Sequence, residues 1–458
     1  KRRRAAMTSS KKYYIAYVWR WRWKWKWKCP KKYQNLDITW RKTLPLTHIL
    51  LPTHLTYPIH SKIISNCFNN GSNKKTSMVP ISNNNDVAPP PPLPRILILD
   101  GGVSTHLESM LLKQRRANNE ETNESVFTHR KLWSSSLLLT NAGKDAIRTC
   151  HEQFYTAGAD IASTVTYQCH YLVCHDKEEG KNWKECNVDS MLRDGVSLAR
   201  EAGRNVLSSS LCGNRRLFVA ASIGCYGAAL ADGSEYCGNY GVTTDQLYNF
   251  HFQKTSILLS SSPDILAFET IPCVEECIAI LQVLQTLGKK EVLSLTSVWL
   301  SLACCNGTQL NDGSNVVDAL KVMNEMDPNG WMLHGIGINC CSFLHVVPLV
   351  QLIVQNMVES GIKRALVFYP NSGEEWDASN ETWVKGTGCT SPKEFASLLS
   401  KAIGAVDDTW NEVVKSGKVG SSGNNCSGGC SNIPIVVGGC CRTDPSTISA
   451  IRGMVDKL

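Results

Sequence analysis

An α/β fold, a (β/α)8 barrel, is predicted by three features of the chain: eight short apolar runs, helix-like intervals between them, and small or polar residues closing most of the runs. The first run, 96–100, is Ile-Leu-Ile-Leu-Asp and delivers Asp100 just ahead of Gly101-Gly102. The second, 161–166, closes on Thr164 and Thr166, and the third, 217–224, closes on Gly224. The fourth, 265–270, ends in Glu269-Thr270, and the fifth, 292–299, ends at Trp299. The sixth, 335–340, ends in Asn339-Cys340; the seventh covers 365–371; the eighth, 433–440, runs through Gly438-Gly439 to Cys440. Continuous rather than alternating apolarity is the mark of strands buried on both faces of a parallel sheet. Intervals such as 274–287 and 392–403 read as crossover helices. Eight such repeats favour a closed TIM barrel over an open sheet.

The barrel domain is expected over 95–458, longer than the roughly 250 residues usual for the fold. Two insertions account for the excess: a polar stretch at 113–126, and a Gly/Ser/Asn-rich one at 416–432 that holds Cys426 and Cys430. Residues 1–94 differ from the rest and are expected to form a low-complexity, disordered, basic extension. Tryptophan alternates with Arg or Lys five times from Trp19 to Lys28, and Pro89 to Pro92 form a linker. Residues 1–42 hold fifteen Lys or Arg against one acid, a charge of +14; the whole chain carries +8, so the remainder is −6. The barrel is therefore mildly acidic, which argues against a nucleic-acid partner, although the head itself would suit phosphates or a membrane surface. No run of 18 apolar residues occurs, so stable membrane insertion is not expected. The 20 cysteines follow no secretory signal and are expected to be mostly reduced. Cytoplasmic residence is expected, or an organelle if the acid-poor head is a transit peptide.

Barrel active sites lie at the carboxyl ends of the strands, where the βα loops converge. Asp100, Thr164, Glu269, Cys340, Cys440 and Cys441 all fall at such ends. Cys440 and Cys441 are adjacent and would point oppositely in an extended strand, so joint use of both needs a sharp turn, which Gly438-Gly439 permits. With Cys340 they make three thiols, the number that holds Zn2+ firmly while leaving one position open. A buried thiol pair or a redox couple is the alternative reading of Cys440-Cys441. Cys341, beside the first thiol, is left out of the set.

A series of motifs runs in order along the chain. It begins Asp100-Gly101-Gly102-Val103-Ser104-Thr105, Leu132-Trp133-Ser134, Ala157-Gly158-Ala159-Asp160, and Thr164-Val165-Thr166-Tyr167-Gln168. It continues Ala220-Ala221-Ser222-Ile223-Gly224, Ala231-Asp232-Gly233-Ser234-Glu235-Tyr236, and Ala267-Phe268-Glu269-Thr270-Ile271-Pro272. It closes with Gly337-Ile338-Asn339-Cys340, Tyr369-Pro370-Asn371-Ser372-Gly373-Glu374, and Gly438-Gly439-Cys440-Cys441-Arg442-Thr443. In these motifs, from about residue 95 to the C-terminus, the chain resembles the homocysteine S-methyltransferase family.

The resemblance implies a zinc-dependent barrel that methylates homocysteine to methionine, with Cys340, Cys440 and Cys441 as metal ligands. It implies Asp100, Gly101, Thr164 and Glu269 as the groups that hold homocysteine, and Trp133 as lining for the methyl donor. The 232–236 loop and the 369–374 motif are similar to those of relatives that use S-methylmethionine; S-adenosylmethionine is the second choice. Three thiolates around Zn2+ give a formal charge of −1, which favours a cationic donor, and a sulfonium over Trp133 would gain about 1–2 kcal/mol of cation–π attraction. A betaine-type relative is the enzyme alternative, and a non-catalytic binder led by the basic head is the alternative from another class. A cobalamin-dependent relative is not expected, because the chain stops at Leu458 after the barrel. Nothing in the sequence sets the oligomeric state.

Overall fold

The computed structural model describes residues 92–120, 125–127, 129, 131–174, 186–209, 213, 215–288, 296–373, 376–377, 382–383, 387–389, 391–416 and 432–458. Nearly all of the predicted 1–94 extension, and Cys426 and Cys430 of the 416–432 insertion, lie outside the described residues.

Eight parallel strands form the barrel: β1 (Ile96–Ile98), β2 (Ile161–Ser163), β3 (Phe218–Gly224), β4 (Ile265–Ile271), β5 (Ser297–Leu302), β6 (Gly335–Asn339), β7 (Ala365–Tyr369) and β8 (Ile435–Val437). Their order around the sheet is β1-β8-β7-β6-β5-β4-β3-β2. The ring closes between β1 and β2, where Leu99 bridges Ile161 and the Asp100 N–H donates to the Ile161 carbonyl at 3.0 Å. Below this short seam Asp160 acts as a staple. Its carboxylate accepts from the Ile98 N–H at 2.9 Å and from Arg452 at 2.5 Å, with Arg215 at 3.5 Å.

Among the described residues nine longer helices surround the strands: α1 (Val103–Ala117), α2 (Asn141–Ala157), α3 (Val188–Ser208), α4 (Thr244–Ser260), α5 (Val274–Gly288), α6 (Val316–Met326), α7 (Phe343–Ser360), α8 (Pro392–Lys415) and α9 (Pro445–Val455). Local chemistry starts them. The Thr140 side chain accepts from the Gly143 N–H at the head of α2, Thr243 and Gln246 form a reciprocal capping box on α4, and Asp444 caps α9. Strand residues divide by the pleat. Leu97, Leu99, Ile161, Phe218, Ala267, Trp299, Val367 and Val436 fill the barrel, while Ile96, Ile98, Val298, Leu300 and Leu302 pack outward against helices. Among the described residues α7 alone is long and apolar enough to cross a bilayer, but Val346, Leu349, Val350, Ile353 and Val354 are buried and the helix packs on α8.

Three expectations need adjusting. β5 runs to Leu302, so Trp299 lies mid-strand and fills the barrel instead of ending it; Ser301 is buried within the strand despite its hydroxyl. Helix α8 passes through Gly404 to Lys415, because Phe395, Leu399, Ala402, Ile403, Val406 and Thr409 keep one buried stripe at helical spacing. The first part of the 113–126 stretch is the last turn of α1, since Lys113-Gln114-Arg115-Arg116 are good helix formers that happen to be polar, and Ala117 is the best of helix formers.

Candidate metal centre

At the carboxyl end of β6 the chain turns left-handed: Cys340 has φ 50°. Such a conformation is costly for a residue with a side chain and is tolerated where surroundings enforce it. The Cys340 N–H donates to the Tyr369 carbonyl at 3.4 Å. At the end of β8 the turn is tighter. The Gly439 N–H donates to the Asp100 carbonyl at 3.2 Å and the Cys440 N–H to the Pro370 carbonyl at 2.8 Å. A Cβ on Gly439 would stand 2.2 Å from Thr443 Oγ1, so only glycine fits this approach. Thr443 then locks the corner: its hydroxyl donates to the Cys440 carbonyl at 2.8 Å and accepts from the Gly102 N–H at 3.0 Å. Asn371 Oδ1 accepts from the Cys441 N–H at 3.1 Å.

These turns bring the three predicted thiols together. The Sγ atoms of Cys340, Cys440 and Cys441 all lie within 4.8 Å of one another, although β7 separates β6 from β8. Tetrahedral Zn2+ with bonds of about 2.3 Å needs sulfurs about 3.8 Å apart. Small rotations of half-buried side chains close that difference, so the trio fits such an ion. Three soft sulfur donors, one short of a full tetrahedron, are the set expected of a catalytic rather than a structural zinc site. The thiols also share charge. Hydrogen bonds with Cys340 and Cys440 hold the Cys441 thiol well below its ordinary range, while bonding to its two neighbours raises Cys340.

Around the trio stand buried acids. Glu269, on β4, accepts from the Tyr369 hydroxyl at 3.0 Å and from Ser222 on β3. Burial nevertheless raises its carboxyl, against the pull of those two bonds, and the charge of Cys441 adds to the effect. Asp100 accepts from the Ser163 N–H at 2.7 Å; burial pushes it well up, and Glu269 is among the charges it feels. Thr164 shares a 2.7 Å hydrogen bond with Thr166 and accepts from the Ser222 N–H at 3.0 Å. Gly101 lies in the turn after Asp100, packed against Thr443 and Phe154.

Trp133 opens a 3₁₀ turn, Trp133–Leu139, with φ 47°, and packs edge-on to Phe127 at 6.1 Å. The 113–126 stretch does not carry this turn away from the barrel mouth. Ser134 bonds Ser104 at 2.7 Å, at the head of α1, and Ser135 donates to the Val165 carbonyl at 2.6 Å, just past β2.

Four contributors were not assigned roles from sequence. Ser222 and Tyr369 lie inside quoted motifs, so their positions, if not their bonds to Glu269, were visible. Asn339 holds Thr270 at φ 63°, accepting from its N–H and donating to its hydroxyl, both at 2.8 Å. Lys254 is buried on α4 and donates to the carbonyls of Thr166 and Tyr167 at 2.6 and 2.9 Å. Burial lowers its ammonium to about 8, partly opposed by Cys169 and Glu269. The signal was its place at helical spacing between Leu247, Phe250 and Leu258. Thirteen described cysteines are free thiols and Cys186 is disulfide-bonded.

Comparison with known proteins agrees with this geometry. Residues 97–455 match the model of the family described as homocysteine S-methyltransferase. Homocysteine S-methyltransferase YbgG of Bacillus subtilis is 30% identical over 365 residues, 79% of this chain and 95% of the relative. Homocysteine S-methyltransferase 1 of Zea mays is 31% identical over 360 residues, 77% of this chain and 92% of the relative. Among solved structures, the metallated homocysteine methyltransferase MmuM from Escherichia coli superposes with a TM-score of 0.55 at 26% identity, covering 79% of this chain and 96% of that one. With the barrel, the thiol trio and a family model matched over most of its length, the chain belongs to the homocysteine S-methyltransferase family.

Proposed function

We propose that this chain is a zinc-dependent methyltransferase that carries a methyl group from a sulfonium donor, S-methylmethionine first and S-adenosylmethionine second, to homocysteine. The observation that carries the reading is the convergence of the Cys340, Cys440 and Cys441 sulfurs to within 4.8 Å. Those residues would hold Zn2+, and the chemistry such an ion supplies is removal of a substrate thiol proton near neutral pH, where a free thiol with a pKa of about 8.5 stays mostly protonated.

The remaining work falls to the chain itself. Asp100 and Glu269 offer carboxylates to the homocysteine ammonium, and Thr164 and the Gly101 turn offer polar contacts beside them. Binding an ammonium between two buried acids relieves the unfavourable burial of both. The acceptor sulfur, as thiolate, attacks the sulfonium methyl in line. The new carbon–sulfur bond forms as the old one breaks, and the donor leaves as a neutral thioether. Opposite charges cancel in the transition state, and because the nucleophile is already a thiolate no general base on it is required. Alignment and exclusion of water supply the rate.

A selenol acceptor is a second reading, favoured by the 31% identity to selenocysteine Se-methyltransferase of Brassica oleracea var. italica over 364 residues. Cytoplasmic residence stays part of the proposal. The test is metal analysis of the purified chain with a donor panel of S-methylmethionine, S-adenosylmethionine and betaine, each against homocysteine and selenocysteine. About one zinc per chain with S-methylmethionine turnover is expected. A metal-free chain with full activity would overturn the zinc assignment, and turnover with betaine alone would overturn the donor class.

A further inference from the structure

A carboxyl group outside the homocysteine set lies at the same mouth. Between β3 and α4 the chain forms a short helix, Tyr226–Leu230, and a 3₁₀ turn, Ser234–Tyr236. Glu235, in that turn, is 1% exposed, and among the described residues its Oε2 is a buried oxygen with no hydrogen-bond partner. An unsatisfied buried acceptor is destabilising, so its retention calls for a donor that arrives from outside.

The turn is held firmly. A Cβ on Gly227 would meet the Glu235 nitrogen at 2.3 Å, so the short helix and the turn are in direct backbone contact. Asn311 donates to the Glu235 carbonyl at 3.2 Å, and Asp232 accepts from the Ser234 N–H at 3.0 Å. Glu276 fixes both ends of the excursion, accepting from the Tyr226 N–H at 2.6 Å and the Tyr240 hydroxyl at 3.0 Å, with His251 against it at 2.8 Å. Gly238, at its far end, packs against Pro272 and Cys273, two and three residues beyond the Thr270 that follows Glu269. The loop thus lies over the end of β4. Burial pushes the Glu235 carboxyl up to about 8, with Asp232 and Cys441 among the charges that add to it.

Resting on the proposed function, we infer that Glu235 receives the amino group of the methyl donor and so selects an amino-acid sulfonium. The orphan oxygen requires an N–H or O–H. A sulfonium centre has neither, and betaine nitrogen has no hydrogen, whereas an α-ammonium has three. The homocysteine ammonium has Asp100 and Glu269. The acids of the site therefore number enough for two amino acids.

The test uses the zinc-loaded full chain and two sulfonium probes with a carboxylate: S-methylmethionine, which has an amino group, and dimethylsulfoniopropionate, which lacks one. Calorimetric affinity and KM are read for the unsubstituted chain, Glu235→Gln and Glu235→Asp. Losing a charged hydrogen bond should weaken S-methylmethionine about 10- to 100-fold in Glu235→Gln. Dimethylsulfoniopropionate and homocysteine should change less than about twofold, and Glu235→Asp should recover part of the loss. Equal weakening of both sulfonium probes, or a rise in homocysteine KM instead, overturns the inference. S-methylmethionine binding that survives Glu235→Gln overturns it alone, whereas no S-methylmethionine binding by the unsubstituted chain removes the donor assignment as well. Should Glu235→Gln fail to fold by circular dichroism, Glu235→Asp carries the same comparison.

Discussion

Removing the Cys440 sulfur should separate a metal site from a chance meeting of thiols. Structural zinc sites with four protein ligands bind with about 10–16 kcal/mol, or about 2.5–4 kcal/mol per ligand. Three sulfurs within 4.8 Å are the whole donor set here among the described residues, and Cys440→Ala leaves two. Kd for zinc should therefore weaken about 10²- to 10³-fold. Chelator competition with elemental analysis measures this without reference to turnover. Cys341→Ala is the control, because that thiol is buried beside Cys340 yet stands outside the trio. Its zinc affinity should stay within threefold of the unsubstituted chain. Cys440→Ala with unchanged affinity, or Cys341→Ala with an equal loss, would refute the assignment.

Glu269→Gln should raise homocysteine KM about 10- to 100-fold, the value of one charged hydrogen bond, while leaving zinc content alone; an unchanged KM contradicts its role. Asn339→Ala strands the Thr270 N–H and hydroxyl, and should cost about 2–4 kcal/mol in urea denaturation; a loss below about 0.5 kcal/mol would show that the pair does not hold the strand end. His151 and His170 are buried and neutral, lowered by burial to about 4 and about 3. Their unfolded pKa is about 6.5, so as pH falls the unfolded chain takes up protons before the folded one can. The stability they permit is complete above pH 6.5 and falls on acidification by about 1.4 kcal/mol per pH unit for each. Urea midpoints at pH 7 and pH 5 should differ accordingly, and coincident midpoints would rule the pair out as an acid trigger.

All eight strands were legible because burial on both faces leaves a dense aliphatic signal that turns interrupt. The trio was legible because each cysteine closes such a run. β5 was placed too early because Ser301 reads as the polar close of an apolar run, when Ser297 and Ser301 are both buried within the strand. Glu235 and Lys254 were harder for a different reason. Their roles depend on burial of a charge, and burial there is set by loops and helices packing over the barrel mouth. A list of motifs gives the residue type but not whether an oxygen has found a partner.

The backbone at the mouth shows how the trio is made. Cys340, Thr270, Arg442 and Trp133 have φ of 50°, 63°, 66° and 47°. A left-handed conformation costs an ordinary residue roughly 1–2 kcal/mol, so four of them near one opening are not incidental. Each is restrained by a hydrogen bond: Thr270 by Asn339 of β6, Cys340 by the Tyr369 carbonyl of β7, Arg442 by the Thr105 hydroxyl at 3.1 Å, and Trp133 by the His129 carbonyl at 2.9 Å. An extended continuation of β6 and β8 would alternate successive side chains between the two faces, and adjacent Cys440 and Cys441 could not serve one point. The left-handed Cys340 at the end of β6, and the turn at the end of β8 closed by the Thr443 N–H on the Cys440 carbonyl at 3.2 Å, break that alternation. The closed ring of hydrogen bonds beneath them resists the relaxation that would undo it. The thiols are therefore gathered by the barrel's own ladder, with the strain stored in the fold before any ligand arrives.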